Sequence, residues 1–280
     1  MGESDEKSRV EGDMLLDFSD RMSYGDYLKL DVLLSAQKPL SDKHDEMMFI
    51  IIHHVQELWI GLCIHEISYA MRSLREDRCG LAFKALARVS RIQEQLVSAW
   101  DVLSTMTPAD YLTFRDVLGG ASGFQSHQYR LMEILLGARD EKMLLPHKHK
   151  PETYERLRDA FESRSLYDEA IAFLARLGFN VPDELLERDF SKAHQPSDAL
   201  EQVWSDIYRA SPANFDAYQL AEELIDVEDW FQQWRFRHLK TVHRIIGNKR
   251  GTGGSSGAAY LKTALERTFF PELWEVRTWL

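Results

Sequence analysis

Apolar residues recur at spacings of three and four through almost every long segment of the chain. Alternation of apolar with polar residues, which a half-buried strand requires, is missing. The pattern predicts an all-α protein. A short helix is expected over about residues 24–34. The next is expected from about 42 to 76, where HDEMMFIIIHHVQELWIGLCIHEI is apolar nearly all the way round and carries one glycine, Gly61. At ~1.5 Å per residue it would reach roughly 50 Å. Gly80 marks the turn into a third long helix ending near residue 105. In TPADYLTFRDVLG, Thr107, Pro108 and Gly119 are the residue types of an N-cap, a first helical position and a C-terminal cap. Ser122 with Gln125 three residues on reads as a capping box. From about 140 to 210, shorter amphipathic helices are punctuated by Pro146, Pro151, Pro182 and Pro196. A second long helix is expected from about 212 to 246. The glycine-rich stretch GTGGSSG follows, and then a last helix with the aromatic tail FFPELWEV.

No internal repeat and no long Pro/Gly/Ser linker interrupts this pattern. The expectation is a disordered leader over residues 1–20 and one helical domain over 21–280, with a smaller inserted helical portion at about 140–210. Long, highly apolar helices point to a bundle, and the Trp- and Phe-rich ends to surface buried between subunits. The chain is 44% apolar and 28% charged, enough for a large core. Its formal charge of -11 disfavours nucleic acid and anionic membrane as partners. Two cysteines, Cys63 and Cys79, exclude a disulfide framework and fit a reducing cytoplasm. The N-terminal MGESDEKSRVEGD is too charged for a secretory signal. The longest strictly apolar run, residues 47–52, falls far short of a bilayer span.

Two histidines stand on apolar helix faces. Phe49, His53 and Glu57 are spaced by four and share a face, while His54 is rotated about 100° away. His53 is either a core histidine with a backbone partner or a group facing a ligand cavity. His238 lies with Phe231, Trp234, Val242 and Ile245 on one buried stripe, and Arg235, Arg237, Lys240 and Arg244 populate the other faces. A lone histidine on such a stripe is commonly structural. A neutral imidazole among aromatic rings is also what a haem iron needs as an axial ligand. His243, five residues on, faces elsewhere. His147 and His149, in LPHKHKPE, read as a solvated loop rather than a metal site.

Other chemistry is thin. H-E-x-x-H and paired E-x-x-H motifs are absent. GTGGSSG lacks the ending of a phosphate-binding loop and follows no strand, so it reads as a mobile loop that can fold closely over a ligand. Tyr111 and Arg115 are four apart on the short capped helix. Arg115 either satisfies carbonyls at that helix end or offers a guanidinium fork to a substrate carboxylate. Thr252 brings a hydroxyl into the glycine-rich loop.

Five blocks, in this order, resemble the tryptophan 2,3-dioxygenase family: SYGDYLKLDVLLSAQ; HDEMMFIIIHH with ELW; TPADYLTFRDVLGGASGFQSHQYR; WRFRHLKTVHRIIGNKRGTGGSSG; and TFFPELWEVRT. They run from about residue 22 to the end of the chain. Ile52 and the pair Gly120–Ala121 depart from the family pattern without removing a proposed ligand or anchor. The resemblance implies a helical bundle around a haem pocket, assembled as a homotetramer, with one haem b per subunit. It makes His238 the axial ligand of the haem iron and places Ser122 and Gly123 beside the haem. His53 becomes the partner of the indole nitrogen. The substrate contacts it implies are Phe49, Ile50, Ile51, Ile52, His53, Tyr111, Arg115 and Thr252. Tyr24, Tyr27 and Leu28 match a segment that reaches into a neighbouring subunit's site.

The reaction implied is cleavage of the indole 2,3 bond of L-tryptophan by O2, giving N-formyl-L-kynurenine with both oxygen atoms in the product. This is the first step of tryptophan breakdown through kynurenine, and the expected setting is cytoplasmic, without nucleic acid or membrane. The rivals are a related haem enzyme inserting one oxygen atom, a haem sensor or carrier without turnover, and a helical scaffold without haem.

Overall fold

A computed structural model describes residues 16–280, and among them there are α-helices, 3-10 turns and no strand. The chain divides into two units, residues 1–39 and 40–280. Of the expected leader, residues 1–15 lie outside the described residues. In the first unit the single helix expected over 24–34 is two, α1 (Tyr24–Leu28) and α2 (Leu30–Leu34). A capping box opens α1: the Ser23 hydroxyl accepts from the Asp26 N–H, and the Asp26 carboxylate accepts from the Ser23 N–H at 3.0 Å. Lys29 then turns left-handed (φ 53°) and gives its N–H to the Asp26 and Gly25 carbonyls, which closes α1. Five-residue helices cannot hold a continuous axis by propensity alone.

The second unit runs α3 (His44–Arg75), α4 (Cys79–Leu103), α5 (Pro108–Leu112), α6 (His127–Leu136), α7 (Pro151–Glu162), α8 (Leu166–Arg176), α9 (Asp183–Leu186), α10 (Asp198–Arg209), α11 (Phe215–Ile246), α12 (Ala258–Ala264) and α13 (Pro271–Glu275). Its frame is the trio α3, α4 and α11, with α4 packed against both others. The reason is visible in α4, where Ala82, Ala85, Leu86, Val89, Gln93, Leu96, Trp100 and Leu103 are buried at three-four spacing. Asp45 and Glu46 in the first turn of α3, and Arg72 and Arg75 in its last, suit the helix dipole. The turn between α3 and α4 uses Asp77 (φ 53°) rather than Gly80, which lies inside α4. A short polar side chain tolerates that conformation, and Arg176 holds it by donating to Asp77 at 2.8 Å.

Among the described residues α3 is also the one helix long and apolar enough to cross a membrane. Several of its polar groups are bonded to other parts of the protein, however. Gln56 reaches the Leu96 carbonyl, Glu66 pairs with Arg88 at 2.7 Å, and Arg75 pairs with Glu169 at 2.7 Å. These contacts make it a core helix of the bundle.

Two sequence expectations need correction here. The helix expected from Thr107 to Gly119 is split. Thr107 caps α5 and Pro108 starts it, but Phe114 leaves the helical backbone (φ -126°, ψ -3°) and buries its ring, and a 3-10 turn covers Arg115–Leu118. The expected Ser122–Gln125 capping box is present and opens the 3-10 turn Gly123–Gln125, while Ser126 caps α6. His147 is not in a solvated loop. It ends a 3-10 helix, is buried, and its Nε2 has no partner among the described residues. Burial, reinforced by nearby Arg130, lowers its pKa. Residues 140–210 supply α7 to α10, and α8 is buried along nearly its whole length against α3.

The C-terminal segment is anchored by one buried carboxylate. Glu228, on α11 and fully buried, accepts from the Phe269 N–H (2.5 Å), the Phe270 N–H (3.0 Å) and the Trp274 indole N–H (3.0 Å). Burial raises its pKa while the three donors oppose the rise. Glu228→Ala strands those donors and is expected to cost about 3 kcal/mol in urea unfolding. Glu222→Ala removes a half-exposed partner of Arg277 and should cost below about 1 kcal/mol. Equal losses would contradict this assignment of the anchor.

Candidate active site

The three frame helices enclose a cavity, and their spacing decides what faces it. From α3 come Phe49, His53, Gln56, Glu57 and Ile60, one stripe at three-four spacing. From α4 come Trp100 and Leu103, and from α11 Trp234, Arg235, His238, Thr241, Val242 and Ile245. The segment Ala121–Phe124 and the glycine-rich loop complete the lining with Gly251, Thr252, Ser255 and Gly257.

His238 is stacked on Trp100, with ring centres 4.6 Å apart and planes 9° from parallel, and Trp234 stands 5.3 Å away. Burial, with a smaller contribution from His53, holds its pKa at about 4, so the imidazole is neutral at physiological pH. Its ring makes no hydrogen bond among the described residues. On the α3 side the His53 ring lies 4.1 Å from the Phe49 ring, and its Nδ1 is 2.7 Å from the Phe49 carbonyl. A carbonyl oxygen has no proton to give, so Nδ1–H is the donor and Nε2 keeps its lone pair. Burial lowers the His53 pKa, while the Phe49 carbonyl and Glu57 oppose the shift. Phe49 also meets Tyr111 at 6.0 Å and Phe114 at 5.7 Å, giving one apolar wall.

The inner end of the cavity is charged. Glu133 on α6 accepts from the Tyr129 hydroxyl (2.7 Å), from Arg235 (2.9 Å) and from Arg130. Arg235 also donates to the Arg267 carbonyl at 3.0 Å and lies over the Phe231 and Phe269 rings. This corrects the placing of Arg235 on a face other than that of His238: four residues after Phe231 and three before His238, it shares their stripe. Two guanidiniums stand against one carboxylate. The Nε–H groups of Arg130 and Arg235 have no partner among the described residues.

Two loops are fastened to each other at the cavity rim. Thr252 donates to the Ala121 carbonyl at 2.5 Å, and Arg115 donates to the Arg250 carbonyl at 2.6 Å. A Cβ on Gly253 would lie 2.7 Å from the Ser122 Cβ. At Gly257 (φ +63°) it would lie 2.5 Å from the Lys249 carbonyl. Glycine is required at both positions, by close approach and by backbone conformation.

The structure thus brings Phe49, His53, Tyr111, Ser122, Gly123, His238 and Thr252 to one cavity. Arg115 is not in the lining. It adjoins the Tyr111 hydroxyl, whose pKa burial raises against the pull of the guanidinium, and it grips the glycine-rich loop. Ile50, Ile51 and Ile52 are also outside the lining. Ile52 packs into the core and Ile51 is exposed, because each step along a helix turns the side chain by about 100°. Tyr24, Tyr27 and Leu28 sit exposed on α1 of the other unit. Periodicity missed Gln56, Trp100, Arg130, Glu133 and Arg235. A glutamine three residues after His53 in an apolar run was the one local signal. Among the described residues no group of three or more His, Cys, Asp or Glu side chains is placed to hold a metal ion.

Comparison with known proteins finds relatives along nearly the whole chain. The family model for tryptophan 2,3-dioxygenase matches residues 11–207 and 203–280. A tryptophan 2,3-dioxygenase of Bacillus thuringiensis is 51% identical over 273 residues, which is 98% of each chain. One from Bordetella parapertussis is 54% identical over 263 residues, 94% of this chain and 93% of that one. One from a Polaromonas species is 54% identical over 263 residues, 94% and 90% of the two chains.

A depressed histidine pKa has a signed consequence for the apoprotein. Between about 4 and 6.5 the unfolded chain takes up a proton at residue 238 that the folded chain refuses. Stability from this residue is therefore complete above about pH 6.5 and is lost as pH falls towards 4. The full effect is on the order of 3 kcal/mol. His238→Phe should flatten urea-midpoint profiles of the apoprotein over that window. An unaltered slope would show that the imidazole is protonated in the fold.

Proposed function

The chain belongs to the tryptophan 2,3-dioxygenase family, and from that premise we propose that it opens the indole ring of L-tryptophan with dioxygen. The bond between indole positions 2 and 3 breaks, each of the two carbons gains one oxygen atom, and the product is N-formyl-L-kynurenine. Both oxygen atoms end in the product, so no external reductant enters the balance. The observation that carries the reading is a single cavity with a neutral, unbonded His238 on one helix and the Phe49–His53 face on another.

These residues fit haem b. A neutral nitrogen without a protein hydrogen bond suits an axial iron ligand, and the unpartnered Nε–H groups of Arg130 and Arg235 suit carboxylates. His238 would hold the iron, with Ser122 and Gly123 beside the haem. When bound, the haem supplies the means of binding and activating dioxygen, which no side chain of the chain provides.

The chain's own work is orientation. His53 is committed through Nδ1 to the Phe49 carbonyl, so its Nε2 can accept the indole N–H and fix the ring's rotation. Phe49 packs on the ring, and Tyr111 and Phe114 back it. Arg115 uses one donor on the Arg250 carbonyl and keeps others for the substrate carboxylate. Thr252 offers its oxygen to the ammonium group. Closing the glycine-rich loop over the amino-acid end then removes water and places the double bond for attack. His53 is a positioning partner, not an obligatory base. Tyr24, Tyr27 and Leu28, exposed on α1, would complete the site of a neighbouring subunit, in a homotetramer working in the cytoplasm.

The decisive experiment is anaerobic reduction of the haem-loaded protein, followed by tryptophan and labelled dioxygen. Formylkynurenine absorbance should appear, with two labelled oxygen atoms in the product. One labelled atom would establish the single-oxygen rival, and no product would leave a sensor or carrier. His238→Ala should lose haem and turnover together. Full activity in a haem-replete variant would remove His238 as the ligand.

Arg115→Ala is expected to weaken tryptophan binding by about 10- to 100-fold, the loss of a charge-assisted hydrogen bond, while haem content stays near one per chain. His53→Ala should keep measurable turnover. Tryptophan titrations with equal affinity in the Arg115 variant would end the carboxylate assignment.

A further inference from the structure

Gln56 is nearly fully buried, lines the cavity, and uses both ends of its amide. Its Nε2 donates to the Leu96 carbonyl of α4 at 2.8 Å. Its Oε1 accepts from the Trp234 indole N–H of α11 at 2.9 Å. The chemistry fixes this orientation, because a carbonyl can only accept and an indole N–H can only donate. The three anchor points are each one helical turn from a site residue. Gln56 follows His53 by three, Leu96 precedes Trp100 by four, and Trp234 precedes His238 by four. Trp100 and Trp234 are the two rings against His238, and they also meet each other at 5.7 Å.

Resting on the proposed function, we propose that Gln56 is a positioning residue for His238. By holding the Trp234 ring against α4, it fixes the plane in which His238 presents its nitrogen. Because it springs from α3, the same bridge sets the separation between the His53 face and the His238 face. Packing alone would let the Trp234 ring slide, since an indole on an apolar stripe has several rotations of similar contact. A hydrogen bond at its edge selects one. Gln56 touches neither indole nor dioxygen in this role and acts through Trp234.

The test uses the haem-loaded protein and the iron–histidine stretching band of its ferrous form, read by resonance Raman. Gln56→Met keeps the volume and removes both hydrogen bonds. Trp234→Phe keeps an aromatic ring and removes the donor from the other end. Each variant should bind haem stoichiometrically, shift or broaden that band, and lower kcat at least 5-fold with KM changed less than 2-fold. The double variant should be no worse than the poorer single one, because one bridge is broken in each. Bands and kcat matching the unaltered protein in both variants would overturn the proposal. So would effects that multiply in the double variant, or loss of fold in both, which would make Gln56 a structural strut only. If Q56M alone fails to fold, Trp234→Phe carries the test. Absence of haem binding or formylkynurenine in the unaltered protein would defeat the functional reading, whereas a normal unaltered enzyme with indifferent variants defeats this one alone.

Discussion

The stacking of His238 on Trp100, inside a cavity walled by α3, α4 and α11, is the contact on which the rest of the structure depends. An imidazole in that setting cannot take a proton without losing hydration that no carboxylate replaces, so it stays neutral. A neutral nitrogen facing a space is reactive towards a metal and useless as a buried cation. Maintaining it requires three long helices to converge at one level. α4 is buried on the side where it meets the other two, and Gln56 and Glu66 of α3 are bonded across to it.

Charge within the cavity is paired rather than left free. The cationic groups Arg130 and Arg235 are both paired with Glu133, which also accepts from the Tyr129 hydroxyl. The rim is fastened by backbone acceptors: Arg115 on Arg250 and Thr252 on Ala121. Both acceptors are neutral: a substrate's carboxylate can replace or join the Arg250 carbonyl as acceptor for Arg115, while an ammonium group can donate to the Thr252 oxygen. The same contacts that close the loop are those proposed to recognise the amino-acid end of tryptophan, and on that proposal closure and binding would be coupled.

Helix content and the long apolar helices were legible in the sequence because a 3.6-residue period needs no knowledge of partners. The Phe49–His53 face and the Trp234–His238 stripe were legible for the same reason. Boundaries were less so. Lys29 and Asp77 adopt left-handed turns with no glycine to announce them, and Phe114 leaves a helix to reach the core. His147 looked solvated because its neighbours are polar, yet the 3-10 turn carries it inside. Arg235 looked to stand off the buried stripe, but Glu133, 102 positions away, makes its burial there tolerable.

What the sequence by itself determined is the set of faces: which residues share a side of each helix, and that two of those sides carry histidines among aromatic rings. Local spacing fixes such sets, since they depend only on backbone geometry. Tertiary structure decided which faces meet. It put Trp100 on His238, tied Trp234 to α4 through Gln56, and laid the glycine-rich loop on Ala121 and Ser122. Those pairings join residues scores of positions apart, and hydrophobic burial, which has no direction, cannot specify them from one segment alone. The neutrality of His238, and with it the chemistry assigned to the cavity, is a property of that assembly.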